Sequence, residues 1–79
     1  MRGGAKMNVT KTSNFPIKIS MAAARVNAEL TQKQLAIACK VSETTVFNWE
    51  NGKSVPSIRK LPLLEKAYGI SLDYVKIPY

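Results

Sequence analysis

Glu43, Thr44, Phe47 and Asn48 stand first, second, fifth and sixth in a short stretch, the spacing that gathers side chains along one face of an α-helix. Together they offer a carboxylate, a hydroxyl, an aromatic ring and a carboxamide, which suits recognition by contact and hydrogen bonding. A carboxamide donates and accepts at once and so matches adenine N6 and N7. A hydroxyl can hydrogen-bond or touch a thymine methyl, a carboxylate can accept from cytosine N4, and a phenyl ring can lie on a methyl group or a sugar. Sets that break bonds are missing from the sequence. There is no histidine, so the common imidazole base and metal ligand is absent, and there is neither a phosphate-binding glycine loop nor a pair of acids at one site. The single Cys39 cannot form an internal disulfide and falls on an apolar helix face, which fits core packing in a reducing cytoplasm. No enzymatic activity, cofactor or metal is expected.

The charge balance points to a polyanionic partner. Twelve Lys and Arg against five Asp and Glu leave a net charge of +7 and a pI near 9.9. Yet residues 43–51 contain two glutamates and no lysine or arginine. Affinity for a polyanion must then come from the surround: Lys33, Lys40, Lys53, Arg59 and Lys60, with the Gln32 side chain and the amides that open its helix gripping phosphates. No apolar run approaches the roughly 18 residues that a membrane span needs, and residues 1–14 contain no apolar signal segment. These are expected to form a flexible arm, with Arg2, Lys6 and Lys11 available to a duplex, ahead of one domain over residues 15–79.

The elements that position these residues announce themselves by their caps. Thr31 precedes Gln32, and Gln34 three residues on completes a capping box, so a helix begins at Gln32 with Leu35, Ala36 and Cys39 on its buried face. After about two turns Ser42 supplies a second cap. The next helix runs from Glu43 to about Asn51, turns Val46, Trp49 and Glu50 inward, and stops at Gly52. The connection between the two is too short for anything but a helix-turn-helix unit. Pro16 opens a first helix with Ile17, Met21, Ala24 and Ala28 along one face. Pro62 sets the start of a fourth near Lys60 or Leu61, with Ile58 and Arg59 as a looser lead-in, and Gly69 ends it. Ser71 caps a last short helix containing Leu72, Tyr74 and Val75, which makes five. The closing residues 76–79 either cover the domain's own core or form a dimer contact.

Ala36, Val41, Val46 and Trp49, with the run from Trp49 through Glu50, Asn51 and Gly52 to Lys53, resemble the phage repressor and Cro type of helix-turn-helix domain, the lambda-repressor-like family. The resemblance covers roughly residues 17–75. It implies a compact all-α, five-helix DNA-binding domain. A small residue at Ala36 lets the second motif helix cross closely, and Val41 plugs the gap beneath the turn. The family pairs an arginine at the position of Arg25 with a glutamate at that of Glu50. Its base-reading positions fall on Glu43, Thr44, Phe47 and Asn48. Ser42, Thr45, Asn51 and Lys53 join Gln32, Lys33, Arg59 and Lys60 as expected phosphate contacts. One position departs from the pattern: Lys40 stands where a left-handed glycine is usual, at a cost of about 1 kcal/mol.

The expected function is that of a sequence-specific regulator of transcription binding double-stranded DNA in the cytoplasm, close to the nucleoid. A small repressor of phage or mobile-element type, dimeric on a palindromic operator, leads. The antitoxin of a toxin–antitoxin pair, with a small protein partner, is one alternative. A protein-binding adaptor that does not touch DNA is the other, kept open by the acidic recognition helix.

Overall fold

A computed structural model describes residues 17–79 of the chain; the expected arm, with Arg2, Lys6 and Lys11, and the opening Pro16 lie outside the described residues. Four α-helices make up the domain: α1 (Met21–Asn27), α2 (Gln32–Cys39), α3 (Glu43–Glu50) and α4 (Leu61–Tyr68). Single 3-10 turns occupy Ile58–Lys60 and Leu72–Tyr74, and two-residue strands β1 (Ile19–Ser20) and β2 (Val75–Lys76) pair in parallel, Ile19 with Val75 and Ser20 with Lys76.

Two expectations about helices are corrected by that strand pair. The first helix starts at Met21 and not at Ile17. The Ser20 hydroxyl accepts from the Ala23 amide at 3.0 Å, and the residues before it extend to meet β2. Ile17 is left 76% exposed, off the core. The fifth helix reduces to the 3-10 turn Leu72–Tyr74, opened by Ser71 and by Glu65, whose carboxylate accepts from the Leu72 amide at 3.0 Å. Val75 then leaves for β2 and is buried there. Four α-helices result, not five.

Leu35, Ala36 and Cys39 of α2, Val46 and Trp49 of α3, and Leu64 and Tyr68 of α4 form the core with Met21, Ala24 and Val75. The apolar spacing of each short helix supplies one buried face. None of them exceeds eight residues, too short to hold in water alone, so this shared face keeps them folded. The tail lies against its own domain, with Ile77 partly buried on the core and the Tyr79 hydroxyl 3.5 Å from the Pro56 carbonyl oxygen.

Helix ends are handled uniformly. Among the described residues positive φ occurs at Glu29, Lys40, Gly52 and Gly69, one after each helix. At Lys40 (φ 59°, ψ 45°) the closing bonds run from the Lys40 amide to the Ile37 carbonyl at 3.2 Å and from the Val41 amide to that of Ala36 at 3.0 Å. These are the paired bonds of a left-handed helix stop. Pro62 occupies the second position of α4, where its missing N–H removes no helical bond.

Candidate nucleic-acid interface

Helix α3 is fixed on three sides. Ser42 caps it, accepting from the Thr45 amide at 3.1 Å, and its hydroxyl lies 2.9 Å from that of Thr45. Val46 and Trp49 enter the core. Glu50 turns inward beside them, its side chain only 4% exposed. An unpaired carboxylate there would be costly. Arg25 of α1 donates to both its oxygens, from Nε to Oε2 at 2.7 Å and from Nη2 to Oε1 at 3.2 Å, and Gln32 of α2 adds Nε2 to Oε1 at 3.0 Å. Arg25 Nη1 also donates to the Leu30 carbonyl at 2.9 Å. One carboxylate thereby ties α1, α2 and α3 together and sets the angle at which α3 is presented.

The opposite face of α3 meets solvent. Glu43 and Thr44 are exposed, Phe47 is 45% exposed and Asn48 is half-buried. The four therefore share one accessible face. Lys53, in the turn after α3, places Nζ 5.7 Å from the centroid of the Phe47 ring, within range of a cation–π attraction. That turn is folded back on the helix, the Lys53 amide donating to the Asn48 carbonyl at 2.9 Å and Asn51 Nδ2 to the Phe47 carbonyl at 2.8 Å.

The residues expected at phosphates divide by what already holds them. One amide proton of Gln32 is engaged by Glu50, and the Ser42 and Thr45 hydroxyls face each other. Asn51 is exposed but spends an amide proton on Phe47. Lys33, Lys53 and Arg59 are exposed and Lys60 is half-buried. Among the described residues no hydrogen bond or ion pair joins Lys33, Arg59 or Lys60 to α3. Thr31 and Gln34 close a reciprocal capping box at 3.0 and 2.9 Å, leaving the amides of Gln32 and Lys33 as the open donors of the first turn of α2.

Sequence reasoning missed the bond from Gln32 to Glu50 and the bond from Arg25 to the Leu30 carbonyl. The inward position of Glu50 was their available signal, since a carboxylate with two oxygens inside a domain needs more donors than one arginine edge. Burial pushes the Cys39 thiol up from its ordinary value, against a smaller lowering by Lys60, so this cysteine is held as an inert thiol. No helix among the described residues is long and apolar enough to cross a membrane, and no cluster of three or more candidate metal ligands occurs among them.

The family model described as helix-turn-helix matches residues 21–75, from the start of α1 to the opening of β2. The chain belongs to the lambda-repressor-like helix-turn-helix family. A stretch of 49 residues is 37% identical to the HTH-type transcriptional activator BcrR of Enterococcus faecalis, covering 62% of this chain and 24% of that protein. The similarity thus spans about a quarter of that relative's length. No solved structure matches.

Proposed function

We propose that this helix-turn-helix domain is the DNA-reading part of a transcription regulator, and that α3 enters the major groove of double-stranded DNA. The observation that carries this reading is the division of α3 into an inner face locked by Val46, Trp49 and the Glu50 brace and an accessible face of Glu43, Thr44, Phe47 and Asn48. A helix held so rigidly and faced so openly meets what base readout requires, since hydrogen-bonding groups must arrive at base edges already oriented. In this reading Asn48 addresses adenine, Thr44 and Phe47 address thymine methyl groups, and Glu43 accepts from cytosine. Lys33, Lys53, Arg59 and Lys60, with Gln32, Ser42, Thr45 and Asn51, line the phosphates on either side.

The acidity of α3, which favoured an adaptor that does not bind DNA, is reduced by the same geometry. Glu50 faces Arg25, so Glu43 alone presents a carboxylate from α3 to solvent, at an N-terminus where a negative charge is favourable. Output by repression needs only that a bound domain occlude a promoter, and a small phage-type repressor is the simplest form of it. Activation is the second reading, favoured by the relative BcrR being a transcriptional activator. A two-fold dimer would set two α3 helices about 34 to 36 Å apart on a palindrome.

Selection of bound duplexes from a random pool tests the reading. A recovered motif read through α3 supports it and a palindromic motif adds the dimer, whereas enrichment of no sequence overturns it. A promoter reporter carrying the recovered motif then separates repression from activation by the direction of its change.

A further inference from the structure

Lys40 adopts a backbone conformation that opposes a side chain, and no bond of that side chain offsets the cost. Its φ of 59° lies in the left-handed region, where a Cβ meets the neighbouring carbonyl. The helix stop it makes uses only main-chain groups, which glycine would supply with less strain. Strain at such a position directs attention to what the side chain does elsewhere.

Its position answers this. Lys40 borders a groove of about 510 Å³ between the end of α2 and α4, lined by Ala38, Leu63 and Ala67 with Lys66 as the second charged wall. Lys40 and Lys66 are both exposed, and among the described residues neither ammonium has an ion-pair partner. None of the groove residues belongs to α3 or its accessible face. An apolar floor between two unpaired cations is complementary to an apolar side chain flanked by carboxylates. Residues 1–16 carry Arg2, Lys6 and Lys11 and no acid, and a second copy of a chain of net charge +7 has the wrong sign as well. A phosphate backbone would use the lysines but has no use for Ala38, Leu63 and Ala67.

We propose that the groove between α2 and α4 docks an acidic amphipathic segment of another protein, its apolar side chain on Ala38, Leu63 and Ala67 and its carboxylates on Lys40 and Lys66. No residue of this groove lies on the α3 face that the proposed function assigns to base reading, so a partner here and bases at α3 do not compete for the same side chains. The left-handed lysine then trades stability for a cation at the site.

The test titrates the full 15N-labelled chain with a helical peptide that carries leucines flanked by glutamates on one face. Saturable shifts of the Ala38, Lys40, Leu63, Lys66 and Ala67 amides are expected. Lys40→Gly should weaken binding about fivefold while raising Tm. A binding loss coupled to a stability gain cannot arise from unfolding. Lys66→Gln, at a lysine outside the expected phosphate contacts, should weaken peptide binding similarly and leave affinity for random duplex within about twofold. The proposal is overturned by an absence of saturable shifts at millimolar peptide, by equal shifts from a leucine-free glutamate peptide, or by shifts confined to α3. It is also overturned if Lys40→Gly and Lys66→Gln lose duplex affinity in parallel with peptide affinity, which would make these lysines phosphate contacts. Random duplex serves as the DNA probe, so the result does not depend on recovering an operator.

Discussion

At Glu50 a single carboxylate receives three N–H donors, two from Arg25 and one from Gln32, and so couples three helices through one side chain. Removing Arg25 alone should cost about 3 kcal/mol, because the carboxylate survives in a place where water cannot replace the guanidinium. Arg25→Ala with Glu50→Ala should cost less than the two single changes summed, and a double-mutant cycle by urea unfolding reads that coupling. Tyr68 poses the opposite case. Its hydroxyl is buried without a hydrogen-bond partner among the described residues. Burial raises its pKa from the ordinary value of 10.0, Glu50 and Cys39 raise it further, and Arg25 opposes. Tyr68→Phe should therefore be neutral or stabilising by about 1 kcal/mol at pH 7. Where the folded pKa is raised, both states keep the proton below pH 10 and stability is unaffected there. Above it the unfolded chain ionises first, so stability falls as pH rises. Tyr68→Phe should remove part of that alkaline loss, measured as Tm against pH from 8 to 11 for both proteins.

Each α-helix ends on a left-handed residue, but only α3 and α4 use glycine there. Lys40→Gly should stabilise the domain by about 1 kcal/mol, seen as a higher urea midpoint with unchanged slope. The helices that carry the candidate interface are legible in the sequence because their signals are local. Thr31 with Gln34, Ser42 with Thr45, and Gly52 lie within one turn of the boundaries they set. The start of α1 and the fate of residues 72–76 depend instead on the pairing of Ile19 with Val75, residues far apart in the chain. Pro16 as a start signal and the apolar spacing of Ile17 with Met21 therefore mislead, and the Ser71 cap opens one 3-10 turn because Val75 must extend. The candidate site shows the same split. The accessible face of α3 follows from periodicity, whereas the Gln32 bond to Glu50 and the Lys53 ammonium over Phe47 arise only once the chain is folded.

Taken whole, the domain sets exposed Lys33, Lys53 and Arg59 around an α3 that has no basic side chain, an arrangement that under the proposed function separates affinity from specificity in space. If Lys53 serves the phosphates, Lys53→Gln should weaken binding to every duplex by a similar factor and lower the slope of log K against log salt by about one unit. Fluorescence anisotropy at several salt concentrations reads both. Under the proposed function the accessible face of α3 discriminates sequence. The most direct test of this is the ratio of affinities for a selected and a scrambled duplex at one salt concentration, compared between the native chain and Asn48→Ala. The expected result is a preference that Asn48→Ala reduces by about 1 to 3 kcal/mol, with scrambled-duplex affinity nearly unchanged. A selected-to-scrambled ratio that Asn48→Ala leaves intact would contradict it.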